Sequence, residues 1–431
     1  MSLLKELSNH LAFMRGNLTI LTIRQVVGMF FRRMVLSYAS LFILAVGGDS
    51  NQIGIVNSLR PLAGLIMFPI SGYLADRTSR VKLIALADLL SGVTMLCYVF
   101  AQSWEWIALG SLIQGVMVFS FPPTSAILAD SLDPRNRGVG IAIMNTLANA
   151  IAMFSPYIAA IVLQIYSNNL GMRVLYGFLG LQFVFSAILV YKKLEETTTP
   201  DPKTPMPKIT SILRESYSGI PDLWHNMSTS VKALGLVVLM GFIANAVASP
   251  FWVVYAVEVI ELSEIEWGII LLYESILKVL LTIPSGVLAD RVGRTKTLLA
   301  SVIISLISLP SLIFATGFRG VLLVRLGAAI AGAMFMPAST ALLADYIPRS
   351  LRGRVMAAIG RGSVLIGATG GGTGGPGMGY LFTVPVIISS LAGGVLYAVN
   401  PDLPWIVTAA TCVIQVVAVI FFIKEPTSAE K

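Results

Sequence analysis

Arg24, Gln25, Arg32 and Arg33 fall within one long apolar run near the start of the chain. A charge inside hydrocarbon costs about 2.5–3.5 kcal/mol on insertion scales, so such residues default to function. Arg32 and Arg33 sit near the middle of the run, too deep to reach water by snorkelling. Adjacent residues on a helix point about 100° apart. One can therefore face a central cavity while the other pairs with a neighbouring helix. Guanidinium groups grip carboxylate or phosphate through two parallel hydrogen bonds, which points to an anionic solute. The competing reading makes both arginines structural, neutralised by backbone carbonyls and acids.

Asp88 and Glu274 are the acids well inside apolar runs, so they are the available proton carriers, while His10 and His225 lie outside such runs. Asp88 stands close to a run's end and is expected to pair with a basic loop residue. Glu274 is then the better candidate for proton coupling. Lys278, one turn along the same helix, is its local partner, and Arg60 of the second run is its alternative partner across the molecule. Asn57, Gln114, Asn145, Asn149, Asn245, Tyr255 and Arg361 are further candidates for a cavity wall. Each of them could instead join two helices by a hydrogen bond, the commoner role in membranes.

Composition says what must hold these residues. Of 431 residues, 56% are hydrophobic and 12% charged, against roughly 25% charged in soluble domains. This is the profile of a polytopic membrane protein. The net charge of +8 resides in short loops between apolar runs, so topology explains it better than nucleic-acid binding. Cys97 and Cys412 lie inside apolar runs, which indicates neither a disulfide framework nor a cysteine metal site. No metal and no cofactor is expected. No cleavable signal peptide is evident, since Met1 to Gly16 carries charges and lacks a compact apolar core.

Runs long enough to cross roughly 30 Å of hydrocarbon fall at about 18–46, 52–75, 82–101, 105–129, 138–166 and 171–191. A second set falls at about 232–257, 265–289, 297–316, 320–344, 354–398 and 403–423. The expectation is an all-α membrane protein with twelve transmembrane helices in two six-helix bundles. Its boundaries are about 1–16 for an amphipathic surface helix, 17–191 for the first bundle, 192–230 for a linker, 231–424 for the second bundle and 425–431 for a tail. The proline-rich stretch Thr197 to Pro207 cannot be regular helix, and Ile209 to Tyr217 reads as a short surface helix. About 21 of the 30 lysines and arginines fall in the termini, the linker and the loops on one side, which places both termini in the cytoplasm.

The two sets are copies. Gly72-Tyr-Leu-Ala-Asp76-Arg77-Thr-Ser-Arg80 returns as Gly286-Val-Leu-Ala-Asp290-Arg291-Val-Gly-Arg294, an offset of about 214 residues. Asp130 with Arg137 likewise returns as Asp345 with Arg352. The same offset carries Arg60 onto Glu274, placing opposite charges at equivalent depths. Gly72 and Gly286 would let a neighbouring helix approach. Asp76 and Asp290 could face the positive N-terminus of a helix from the other half. Arg80 and Arg294 have acidic candidates in Asp130 and Asp345.

Twelve spans, the paired Gly-x-Leu-Ala-Asp-Arg turns and the long central loop resemble the major facilitator superfamily of secondary transporters, over nearly the whole chain. The resemblance implies that the clusters around Asp76 and Asp290 latch the cytoplasmic side and break when the halves rock apart. The alternative reading makes these charges anchors at the lipid headgroups. Drug–proton antiporters of the family carry an arginine ahead of a Gln-Gly pair in the fourth helix and a glycine-rich run in the fifth. Gln114-Gly115 is present, but the arginine position is Ser111, and most fifth-helix glycines are replaced by other small residues between Ile151 and Ala160.

Gly367 to Gly379 is exceptionally rich in glycine. It lacks the following Lys-Ser/Thr of a phosphate loop, so nucleotide binding is not indicated. Glycine this dense cannot hold a straight helix, and Gly371, Gly372, Gly374, Gly375 and Pro376 are candidate hinge residues. The functional expectation is proton-coupled export of small organic compounds or drugs across the cell membrane by a monomer. The partners are then the bilayer, the solute and protons. The alternative is transport of an organic anion recognised by the first-helix arginines, and a non-transporting ligand sensor is a third reading. No clustered carboxylate pair or metal-ligand spacing supports an enzyme.

Overall fold

The computed structural model describes residues 15–132, 137–199, 208–212, 227–347, 355, 358–360, 364, 366–368 and 379–425. The candidate residues Arg352, Arg361, Gly371, Gly372, Gly374, Gly375 and Pro376 lie outside them, as do most of the expected surface helix at 1–16 and most of the linker. Every described secondary-structure element is a helix.

Span 1 is α1 (Asn17–Leu36) continued by α2 (Ala39–Ala45), bent by 44° between them. Neither glycine nor proline causes the bend. Ser37 Oγ donates to the Arg33 carbonyl at 2.9 Å, the back-bonding that bends helices. Spans 2 and 3 are α3 (Ser50–Arg77) and α4 (Arg80–Val99). Span 4 is α5 (Trp104–Val116), a 3₁₀ turn and α6 (Phe121–Asp130). Span 5 is α7 (Arg137–Ala152) plus the start of α8 (Ser155–Lys193), and the rest of α8 is span 6. The chain reverses between them at Ser167, whose φ of 65° lies in the left-handed region. Gly171 completes that corner, since a Cβ there would meet the Leu163 Cα at 3.1 Å.

The second set runs α9 (Thr229–Ala248), α10 (Glu264–Val292), α11 (Arg294–Ser308), α12 (Gly317–Tyr346), α13 (Tyr380–Val399) and α14 (Leu403–Phe422). Span 7 extends past α9 through short turns to Val259, where Pro250 interrupts the backbone ladder. Twelve spans result, in two pseudo-symmetric sets of six. Local chemistry repeats with them. Span 2 starts on a capping box of Asp49 and Gln52, and span 8 starts on one of Ser263 and Glu266 at the matching position.

The halves meet at the end of the bundle opposite the Asp-Arg turns, called here the far end. Gly54 of span 2 lies against span 11, where a Cβ would stand 2.8 Å from the Ser390 carbonyl oxygen. Gly268 of span 8 lies against span 5, where a Cβ would stand 3.1 Å from the Pro156 carbonyl oxygen. The repeat offset carries one glycine onto the other, so a pseudo-dyad relates the two contacts. Small residues that let backbones touch are how helices associate without a hydrophobic drive between them. Tyr38 locks the same region, donating its hydroxyl to the Pro156 carbonyl at 2.9 Å and lying 3.3 Å from the Glu264 carbonyl. The larger buried core, with Tyr38, Phe42, Trp252 and Trp267, spans both halves here. A smaller core around Leu18, Ile84 and Ile127 belongs to the first half alone.

The turn end is open around its two glycines. A Cβ on Gly72 or on Gly286 would meet nothing within 4 Å. This corrects the expectation that a neighbouring helix packs on them: no described residue comes within reach.

Candidate functional site

A cavity of about 200 Å³ lies within the first half, walled by spans 1, 2, 3, 4 and 6. Arg24, Arg32, Asn57, Arg60, Asp88, Tyr98, Ser111 and Gln114 are among its lining residues. Spans 1 to 4 carry their polar groups on faces that turn inward, because lipid offers them no partner.

Asp88 is fully engaged. Arg24 reaches it with Nε at 2.7 Å and Nη2 at 2.6 Å, and the Ser186 hydroxyl donates to it at 2.5 Å. The partner is thus a span 1 arginine and not the expected loop residue, because Asp88 points into the bundle and away from its nearest loop. Arg32 is exposed in this hollow and Arg60 is half-buried. Neither makes an ion pair or hydrogen bond with a described residue, and their like charges lie within electrostatic range of each other. Gln114 and Asn145 serve as helix ties, whereas Asn57 bonds within its own helix. Asn57 donates to the Ile53 carbonyl, Gln114 joins span 4 to the Ser91 carbonyl at 3.2 Å, and Asn145 accepts from Gln25 at 2.7 Å. Asn245 is not left without an interaction.

The second half answers with a different cluster. Arg325 of span 10 donates to one oxygen of Glu274, from Nε at 2.9 Å and from Nη2 at 2.5 Å. It also donates to the Gly367 carbonyl at 2.6 Å. Its guanidinium lies 4.4 Å from the Trp252 ring centre and 5.7 Å from that of Trp267, a cation–π enclosure. Glu274 therefore pairs with neither Lys278 nor Arg60, the partners expected for it. Arg325 approaches from the adjacent span, whereas Arg60 faces the cavity of its own half. Lys278 and Arg33 remain within electrostatic range of Glu274, and neither forms an ion pair with a described residue. Arg33 and Glu274 belong to opposite halves.

The turns are built alike in both copies. Arg80 donates to Asp130 at 2.8 Å, and Arg294 pairs with Asp345. Arg137 donates to the Ala129 carbonyl at 2.8 Å, and Arg77 lies over the Tyr73 ring. Glu196 accepts from the Ser79 hydroxyl at 2.6 Å and from the Val81 amide at 3.3 Å. Glu425 accepts from the Arg294 and Thr295 amides at 2.7 and 2.9 Å. Each half thus ends on a glutamate that caps the start of its own third span. Asp76 is exposed and has no partner among the described residues, and Asp290, also exposed, makes a long contact of 3.5 Å to Arg294. Neither makes the expected contact with a described helix of the other half. Arg291 is likewise exposed.

Sequence reasoning missed Arg325, Tyr98 and the two capping glutamates. A signal for Arg325 existed: the repeat offset carries Ser111, the span 4 position that lacks the antiporter arginine, onto Arg325. The arginine is present in the other half. Nothing in the sequence marked Tyr98 among thirteen tyrosines in all, since its role comes from packing.

The family model for the Major Facilitator Superfamily matches residues 21–231 and 234–431. The multi-drug resistance efflux pump PmrA of Streptococcus pneumoniae is 23% identical over 171 residues, 39% of this chain and 42% of that pump. An MFS-type transporter of Methanocaldococcus jannaschii is 22% identical over 404 residues, 90% of each chain. The multidrug resistance protein MdtG of Salmonella typhimurium is 24% identical over 306 residues, 70% of this chain and 72% of MdtG. Among solved structures, the nucleoside transporter NupG superposes with a TM-score of 0.69 at 13% identity, over 94% of this chain and 100% of NupG. The human organic anion transporter MFSD10 superposes with a TM-score of 0.61 at 13% identity, over 94% of this chain and 98% of MFSD10.

Proposed function

The chain belongs to the Major Facilitator Superfamily, and from that premise we propose that it is a secondary transporter of small organic anions working by alternating access. It is a multi-pass membrane transporter and not an enzyme. One observation carries the anion reading. Arg32, Arg33, Arg60 and Lys278 lie inside spans without an ion-pair partner among the described residues, while the two acids there, Asp88 and Glu274, are occupied by Arg24 and Arg325. Cations left without counterions at mid-membrane are costly unless a ligand or water meets them. A carboxylate or phosphate on the solute would supply the missing charge.

Placing the basic loops in the cytoplasm makes both termini cytoplasmic and the structure inward-facing, joined at the outer end and open at the inner one. The Asp76 and Asp290 clusters are then the inner latch, released in this state. Arg33 and Lys278, one from each half, are positioned to hold the solute between the bundles. The boundaries at 17–191 and 231–424 would mark the two rocking bodies.

Proton-coupled drug export remains the second reading, favoured by the names of PmrA and MdtG. Its weak point is Glu274. Protonating that carboxylate would strand the buried guanidinium of Arg325 with a single carbonyl partner.

Flux into proteoliposomes of the full-length protein decides between them. Uptake of a labelled carboxylate or phosphate ester, lost in Arg33→Gln and in Lys278→Gln, supports anion transport. Movement of a lipophilic cation driven by a proton gradient, with no anion flux, overturns it.

A further inference from the structure

The cavity of the first half has features that anion transport through the cleft between the halves does not require. Arg60 comes from span 2 and Arg32 from span 1, and both line a hollow whose described lining comes from the first half alone. Tyr98 lines it too, and its hydroxyl has no hydrogen-bond partner among the described residues. That ring cannot swing away. It stacks on Tyr176 with centroids 4.3 Å apart and planes 8° from parallel. On another side it fills the space left by Gly110, where a Cβ would stand 2.6 Å from the ring. A rigid phenol beside Arg60, its ring buried and its hydroxyl bonded to no described residue, is a pre-organised donor awaiting an acceptor. Asp88, the acid in the lining, would repel an anion if it were free, but Arg24 and Ser186 saturate it.

We propose that Arg32, Arg60 and Tyr98 form a subsite for one compact dianion, a phosphate group or a short dicarboxylate, wholly within the first half. Two guanidinium groups without counterions are balanced by a double negative charge and only half balanced by a single one. Size sets the second limit. The cavity of about 200 Å³ falls below the roughly 300–1,000 Å³ of pockets for drug-sized ligands. It holds a charged head and few further atoms. This deepens the anion-transport reading and rests on it for the fate of the bound ion, but the binding itself can be measured alone.

The test is calorimetric titration of the full-length protein in detergent with inorganic phosphate and with malonate. Acetate and gluconate at matched ionic strength are the controls. The dianions should bind saturably and acetate about tenfold or more weaker, as expected for loss of one charge-assisted contact. Arg60→Gln should weaken phosphate binding by about tenfold or more, and Tyr98→Phe by a few-fold, on the order of one neutral donor. Tyr98→Phe keeps the stacked ring, so it reports on the hydroxyl even if Arg60→Gln folds poorly. Absence of saturable dianion binding, or binding unchanged in Tyr98→Phe, overturns the subsite. Binding that follows these variants in a protein that carries no anion across proteoliposomes upholds the subsite and removes the transport reading. Anion flux indifferent to Arg60 and Tyr98 does the reverse.

Discussion

Arg60 and Glu274 occupy the same position in the two copies of the repeat, yet they do not meet. Arg60 opens into the hollow of the first half, whereas Glu274 is held by Arg325 inside the second. The duplication thus preserved depth and discarded partnership. Arg60 is left without an ion pair in its hollow, and Glu274 is committed to fixing spans 8 and 10 together, with Gly367 drawn in by the same guanidinium.

Removing Glu274's charge should therefore damage structure first. Breaking a buried ion pair costs about 3–5 kcal/mol because the orphaned charge stays behind. Glu274→Gln should lower the melting temperature of the detergent-solubilised protein by several degrees. Glu274→Leu with Arg325→Met, which removes both charges, should recover most of the loss. Size-exclusion thermostability measurements report this directly. A double variant no better than the single one would mean the pair does not act as a unit.

A pH response is expected at the turn end. Burial pushes the Glu425 carboxyl up, but amide hydrogen bonds from Thr295 and Arg294, with the Arg294 charge, outweigh it and hold the group below the usual carboxylate range. A carboxylate depressed in the folded state contributes stability above its unfolded value of about 4.3, and that contribution is lost as pH falls through the folded value. Stability should decline below about pH 4.5, and Glu425→Gln should flatten this part of the profile. Melting curves at stepped pH for the two proteins check the sign.

Much of this architecture was legible because membranes simplify the reading. Apolar run lengths locate the spans, and the repeated turn aligns the halves. The offset even reaches Gly54 and Gly268, whose shared role at the far end shows only when the opposing carbonyls are in view. What the linear pattern could not show was choice of partner. Asp88 is near Lys82 in sequence but bonds Arg24, because the helix points it inward. Tyr98 gained significance from a stacked ring and an absent Cβ at Gly110, neither of which leaves a periodic trace. The capping glutamates 196 and 425 follow helices whose ends were clear, but the amides they meet lie far back in the chain.

The far-end contact predicts its own failure mode. A leucine at Gly54 cannot fit 2.8 Å from the Ser390 carbonyl oxygen, and overpacking of this kind costs about 1–3 kcal/mol. Gly54→Leu and Gly268→Leu should each weaken the join and shift the population toward a far-end-open state. A cysteine placed at Asn51 should then label faster with a membrane-impermeant maleimide applied from that side. Unchanged labelling in both variants would show that the glycines do not set the closure.

Gly72→Leu should push the other way. Its Cβ meets nothing within 4 Å in the present state, so thermal stability should hold within about 0.5 kcal/mol, as for a surface site. In the proposed alternating-access cycle, closure of the turn end brings helices of the two halves together, and a leucine at the meeting point would obstruct it. Turnover should then fall by about tenfold, equivalent to ~1.4 kcal/mol against the closed state. Substrate binding measured from the open side should stay intact. Gly286→Leu should repeat the effect, because the pseudo-dyad places it in the matching contact. The decisive readout is the separation of binding from flux. If both fall together, the glycine supports the fold of span 2 and not the passage between states. If binding persists while flux is lost, residues at opposite ends of one helix, Gly54 and Gly72, hold the two closures of a single rocking motion.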